Sequence, residues 1–197
     1  MSLASKHRLA ILASGRGTNT RAILNYFQDH PAIEVAVVVS NKPDAGVLDV
    51  AQAFGVPQLL ITNEAMATGD ALVQVQAYQV HAVILAGFLK LLPAEWVAAF
   101  PQRIINIHPA LLPQYGGKGM YGDRVHRAVS EAGDTTSGIT IHFVNEVYDA
   151  GAVIAQYTTP IPPGADPAYI AQQVQRLEHR YYPAVIEAVL CDQSLPV

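Results

Sequence analysis

A series of near-continuous apolar runs constrains this chain more than any other feature. Leu9–Ala13 reads Leu-Ala-Ile-Leu-Ala, Ile33–Val39 reads Ile-Glu-Val-Ala-Val-Val-Val, and Ala82–Ala86 reads Ala-Val-Ile-Leu-Ala. Runs without polar alternation suit parallel strands buried on both faces. Pro57–Ile61 and Ile104–His108 are shorter runs of the same kind. Helical spacing fills the gaps: Ile23, Leu24 and Phe27; then Val47, Val50, Ala51 and Phe54, closed by Gly55; then residues 70–78; then a turn around Trp96, Val97 and Phe100. Strands alternating with helices predict an α/β, Rossmann-like sheet with right-handed crossovers. After a helix over 123–132 the pattern changes. Gly138–Val144 alternates with period two, and Val153–Thr159 is a second β-rich run a short loop away. That pair is expected to be antiparallel, so the sheet is mostly parallel but mixed, flanked by helices, with the antiparallel pair in the C-terminal half. A long helix closes the chain. Asp166 is its expected N-cap and Pro167 its first residue, with a stripe of Ile170, Val174, Leu177 and Tyr181. Pro183 is expected to kink or split it.

The totals exclude several classes. Of 197 residues, 51% are hydrophobic and 14% charged, enough for a large core and too few charges for a disordered chain. The net charge of −4 argues against a general nucleic-acid binder. A single cysteine, Cys191, excludes a disulfide framework, and the histidines show no metal-ligand spacing, so no metal is expected. No apolar run reaches the roughly 18 residues of a membrane span, and residues 1–7 lack the apolar stretch of a signal peptide. The expectation is one soluble cytoplasmic domain over 1–197. Residues 1–100 would form a phosphate- or nucleotide-binding half, and 101–197 the half that carries the chemistry.

Three stretches carry that chemistry. Ser14-Gly15-Arg16-Gly17-Thr18-Asn19 follows the first strand and precedes a helix. Such a turn aims backbone N–H groups at an anion, and Thr18 and Asn19 are good N-cap types. The P-loop pattern fails there, and the dinucleotide fingerprint is half met because Thr20 replaces its third glycine. A phosphate monoester or a plain chain reversal both fit. Asn106 and His108 sit two apart in the strand at 104–108, so they share a face about 7 Å apart before Pro109 ends the ladder. They offer a fixed donor and a proton carrier, or else a capped strand end. In parallel sheets ligands bind beyond the carboxyl ends of strands, where residues 14–19, 87–92 and 106–109 all fall. Residues 114–122 hold four glycines and read as an exposed functional loop or a linker. Asp149 reads as a loop carboxylate or an Asx-turn, and Gln175 and Glu178 as neighbours on one helix face.

Asn106-Ile107-His108-Pro109, Leu111-Leu112-Pro113 and Asp149 some forty residues later resemble the folate-dependent formyltransferases. Ser14 to Asn19, Leu85-Ala86-Gly87-Phe88, Gln175, Glu178-His179 and Tyr182-Pro183 extend the likeness from residue 8 to about 190, and look like the members that formylate glycinamide ribonucleotide in purine synthesis. The resemblance implies 10-formyltetrahydrofolate as cosubstrate, that ribonucleotide as acceptor, and a monomer or weak homodimer without metal, nucleic acid or membrane. It implies Asn106, His108 and Asp149 as the catalytic trio, with Gly17, Thr18 and Asn19 on the substrate phosphate and Gln175 and Glu178 on the ribonucleotide. It places Leu89, Lys90, Leu91 and Leu92, with Asn106, Asn145, Glu146, Val147 and Tyr148, around the folate. Leu89-Lys90 stands where the family often has Arg, and an Arg ahead of residue 70 is absent; Lys is a point charge without the guanidinium fork. The Gly-rich loop is expected to close over the substrates. The rival formyl handlers are enzymes acting on methionyl-tRNA or a sugar nucleotide and formyl-folate hydrolases; a different class is a non-catalytic folate- or nucleotide-binding protein on the same scaffold. The first would need a basic extra domain, the hydrolase usually carries a further N-terminal domain, and the last has no need of the trio.

Overall fold

Each apolar run becomes a strand of one sheet. The computed structural model describes residues 6–197, so the reading of 1–5 lies outside the described residues. The strands are β1 (His7–Leu12), β2 (Ile33–Ser40), β3 (Gln58–Leu60), β4 (Ala82–Leu85), β5 (Ile104–His108), β6 (Thr136–Phe143) and β7 (Val153–Pro160). They form a seven-stranded sheet in the order β3-β2-β1-β4-β5-β6-β7. Pairing is parallel from β3 to β5 and antiparallel from β5 to β7; the β6–β7 pair is the one expected from the sequence, and the antiparallel joint of β5 to β6 is added by the fold. Chain order reverses between β1 and β4, which opens a crevice beyond their carboxyl ends. There the Ser14 N–H donates to the Gly87 carbonyl at 3.0 Å, and Ser14 Oγ lies 2.7 Å from Asn41 Oδ1, which ties three loops together.

The helices cover both faces. On one side α1 (Thr18–Phe27), α2 (Gly46–Ala53), α6 (Asp123–Glu131) and α7 (Pro167–Leu190) pack over Leu9, Ile11, Ile84, Ile105, Ile107, Ile139 and Ile141. On the other α3 (Asn63–Thr68), α4 (Asp70–Gln76) and α5 (Ala94–Ala99) pack Met66, Ala71, Val75 and Trp96 over Ala10, Leu12, Val37, Val39 and Val83. β1 thus sends alternate side chains into both cores, which explains its unbroken apolar run. Among the described residues, no helix is long and apolar enough to cross a membrane.

The sequence reading needs three corrections here. It left 62–69 without an element, but Thr62 Oγ1 accepts from the Ala65 N–H at 3.0 Å and starts α3. A six-residue helix is too short to show periodicity. Pro183 does not split α7, which runs unbroken for 24 residues. Tyr182, Val185 and Ile186 around it are fully buried, and their packing holds the turn that lacks an N–H. Thr18 and Asn19 do not cap α1; Gly17 stands at the N-cap with φ 79° and no side-chain cap bond.

β6 and β7 approach so closely that a Cβ on Gly138 would lie 2.2 Å from the Tyr157 carbonyl oxygen. Gly138→Ala should therefore destabilise the fold by on the order of 1–3 kcal/mol in denaturant unfolding. Gly15→Ala, with open space around its Cβ position, should stay within about 0.5 kcal/mol of the parent.

Candidate functional site

One cavity of about 660 Å³ opens at the carboxyl ends of β1, β4 and β5. Its wall includes Gly17, Thr18, Asn19, Leu89, Lys90, Leu91, Leu92, Asn106, His108, Asn145, Val147, Tyr148, Asp149, Gln175 and Glu178. Of the residues that the resemblance assigns to catalysis, substrate or folate, Glu146 alone does not line it. Its neighbours Val147 and Tyr148 do, because the turn after β6 presents one side to the cavity and the other to solvent.

β5 delivers Asn106 and His108 to one face, as its period of two requires. Directly opposite them on β6 stand His142 and Thr140. His142 was not apparent from the sequence: its position two residues after Thr140 in an alternating strand becomes a signal only when the β5–β6 register is known. His142 Nδ1 lies 2.8 Å from the Phe143 carbonyl. A carbonyl only accepts, so neutral His142 carries its proton on Nδ1, and Nε2 accepts from Asn106 Nδ2 at 3.1 Å. This fixes the amide's orientation, and its second N–H has no protein partner among the described residues.

His108 is held in the same way. Its Nε2 lies 2.8 Å from the Tyr115 carbonyl, so Nε2 carries a proton and Nδ1 faces Asp149 Oδ2 at 3.5 Å. Burial pushes the His108 pKa below the ordinary value, and Asp149 and the Tyr115 carbonyl oppose that without reversing it. His108 therefore rests neutral, with an open basic nitrogen beside a carboxylate. Burial also works against ionising Asp149, but a hydrogen bond from His142 and the positive charge of His108, each present once that imidazole takes a second proton, together with the Gly117 N–H, hold its pKa below the usual value. Asp149 Oδ1 is 3.7 Å from His142 Nε2, and Oδ2 accepts from the Gly117 N–H at 2.9 Å. The last bond ties the Gly-rich loop to the cluster, and Gly117 to Gly122 form part of the wall. His126 on α6 also lines the cavity; it is buried, its Nδ1 has no protein partner, and burial lowers its pKa.

At the other end Thr18 and Asn19, freed from capping, meet α7. Gln175 Nε2 donates to Thr18 Oγ1 at 3.3 Å, and Asn19 Nδ2 donates to Glu178 Oε2 at 3.1 Å. Tyr182, one turn further along α7, places its hydroxyl 3.0 Å from both the Leu85 and Ile105 carbonyls and pins the helix over β4 and β5. Burial raises the Glu178 pKa to about 7, with the Asn19 amide opposing. A third part of the wall is apolar: Leu89, Leu91 and Val147 are 43%, 40% and 61% exposed. Among the described residues no cluster of His, Cys, Asp or Glu has the makings of a metal site.

The family described as formyl transferase matches residues 7–186. A protein of Arabidopsis thaliana called phosphoribosylglycinamide formyltransferase, chloroplastic, is 41% identical over 96% of this chain, which spans 67% of that protein's length. The phosphoribosylglycinamide formyltransferase of Haemophilus influenzae is 37% identical, with 91% of this chain and 85% of that one aligned. The crystal structure of phosphoribosylglycinamide formyltransferase from Anaplasma phagocytophilum superposes with a TM-score of 0.86 at 29% identity, covering 95% of this chain and 89% of that one.

Glu178 makes stability depend on pH in a defined direction. Its folded pKa of about 7 exceeds the ordinary carboxylate value. The folded state therefore binds its proton more tightly, and this contribution is complete below about pH 4 and lost as pH rises through 7. Glu178→Gln should gain stability relative to the parent between about pH 5 and pH 8, by on the order of 3 kcal/mol in all, in unfolding curves taken across that range.

Proposed function

The chain belongs to the formyl transferase family, and on that premise we propose that it moves a formyl group from 10-formyltetrahydrofolate to the amine of glycinamide ribonucleotide. The observation that carries this reading is the make-up of this cavity. A turn before a helix without side-chain caps, an amide–imidazole–carboxylate cluster and an exposed apolar wall all open into it. The three parts suit a phosphate, an acyl transfer and a flat heteroaromatic ring in that order.

Gly17, Thr18 and Asn19 would hold the phosphate, with N–H groups of the first turn of α1 that no side chain caps. Gln175 and Glu178 would hold the ribose, and near pH 7 Glu178 is available both as acceptor and as protonated donor. Leu89, Lys90, Leu91 and Leu92, with Asn145, Val147 and Tyr148, would hold the folate. A flat ring laid on Leu89, Leu91 and Val147 would remove apolar surface from water, and backbone groups of the 89–92 segment could pair with its polar edge. The folate supplies the formyl carbon as an acyl donor.

The side chains divide the remaining work. Asn106 offers its second N–H to a carbonyl oxygen on which negative charge grows, and His142 keeps that amide from turning over. His108 rests neutral and takes a proton at Nδ1 from an amine that becomes acidic as it attacks. The resulting imidazolium adds positive charge near the oxygen. Asp149, 3.5 Å from Nδ1, balances that charge and passes the proton on toward a leaving nitrogen. Cys191 takes no part: it follows the end of α7 and is not in the cavity wall.

An absorbance assay with glycinamide ribonucleotide and a 10-formyl folate tests this. Deformylation of the folate should require the ribonucleotide. Asn106→Ala should lower kcat by about 10²–10³, the cost of one oxyanion donor. His108→Ala should lower it at least as far while both ligands still bind. Deformylation at the same rate without ribonucleotide would instead mark a hydrolase. Binding of both ligands without turnover in the parent protein would mark a binding module.

A further inference from the structure

We infer that Thr140, Gln156 and Asp134, none of which lines the cavity, position His108 by bracing the chain segment that follows it; this rests on the transferase reading for its kinetic consequence but not for its structural one.

The segment runs from Ala110 to Tyr115, and the Tyr115 carbonyl is the group that keeps the His108 proton on Nε2. If that carbonyl moves, neutral His108 can shift its proton to Nδ1, which would then be bonded to Asp149 and no longer basic. The position of one main-chain oxygen therefore decides whether the imidazole can accept a proton. Two braces hold it.

The first is a polar ladder across the antiparallel strands. Thr140 on β6 stands opposite His108 on β5, and Gln156 on β7 stands opposite Thr140. Thr140 is fully buried. Its hydroxyl donates to the Ala110 carbonyl at 2.7 Å, and accepts from the Leu112 N–H at 2.9 Å and from Gln156 Nε2 at 2.9 Å. One donor and two acceptor positions exhaust what a hydroxyl offers. Gln156 Nε2 gives its other hydrogen to the Leu112 carbonyl at 2.8 Å. Main-chain groups at Ala110 and Leu112 are thus bound to two side chains that belong to other strands. The second brace is at the far end. The Tyr115 hydroxyl donates to Asp134 Oδ2 at 2.7 Å, anchoring a residue whose own φ is 54°. Left-handed backbone at a tyrosine persists only where its surroundings impose it.

The residues these braces fix bring Tyr115 to His108 and, two residues later, the Gly117 N–H to Asp149. Both partners of the imidazole–carboxylate pair are set by the same strut.

The test has one readout that needs no turnover. Imidazole nitrogen spectra of the ¹⁵N-labelled full chain, with His108 assigned by its loss in His108→Gln, should show the parent in the Nε2–H form. Thr140→Val and Asp134→Ala should give a mixture of the two neutral forms, and Thr140→Ser should restore the parent pattern. Gln156→Ala, on the edge strand, tests the same ladder at less risk to folding. In the assay, Thr140→Val should lose roughly tenfold or more in kcat with KM for both substrates within about twofold, as misplacement without lost binding predicts. A parent spectrum with mixed forms, or variants that keep one form and full kcat per folded molecule, would overturn the inference. A single form that becomes mixed in the variants, in a protein with no turnover, would uphold the brace and sink the transferase reading.

Discussion

The register of β5 against β6 is the constraint on which the site depends. Pairing Asn106 with His142 and His108 with Thr140 brings an amide, two imidazoles and a hydroxyl to one face. The intervening residues, Ile105, Ile107, Ile139 and Ile141, go into the core beneath α6 and α7. A slip of β6 by one residue would turn Ile139 and Ile141 to the polar face and Thr140 and His142 toward the core. It would take those two isoleucines, each worth about 1.5–3 kcal/mol when buried, out of the core and put polar groups in their place. The apolar side of the ladder thus secures the geometry of the polar side, and core packing rather than the polar contacts selects the register.

Asp149 shows how a turn can be as well fixed as a strand. A Cβ on Gly151 would lie 1.7 Å from the Phe143 carbonyl oxygen, so only glycine lets the chain fold back this tightly after β6. That turn holds Asp149 at φ 53°, with its carboxylate shared among His108, His142 and the Gly117 N–H. Burial alone would favour the protonated acid, but the two imidazoles once protonated, and the Gly117 N–H, outweigh it. At Glu178 the balance runs the other way. One amide from Asn19 does not offset burial, and the pKa rises to about 7. Two carboxylates in one cavity therefore have pKa values shifted in opposite directions, set by the partners each has.

The long helix α7 joins the two ends of the chain. Its Tyr182 hydroxyl reaches the carbonyls of β4 and β5, and Gln175 and Glu178 reach the first turn of α1. Thr18 and Asn19 have the chemistry of caps, yet their side chains turn to α7 and leave the first N–H groups of α1 without side-chain partners. A local preference for capping has yielded to a contact across the fold, at the place where an anion would use those N–H groups.

By itself the sequence determined the architecture. Non-alternating apolar runs required a parallel sheet covered on both sides, and the change to period two after residue 138 required the antiparallel pair, because side-chain periodicity follows directly from backbone geometry. It also placed Asn106 and His108 on one face and Asp166 and Pro167 at the start of α7. It did not reveal α3, where six residues are too few for a period, nor the continuity of α7 through Pro183, which depends on buried neighbours. Only the tertiary structure brought His142 to Asn106, the Tyr115 carbonyl to His108 and Asn19 to Glu178. Those contacts join residues 36, 7 and 159 positions apart, and their tautomers and pKa values come from burial and from partners supplied by other elements, which no local pattern encodes.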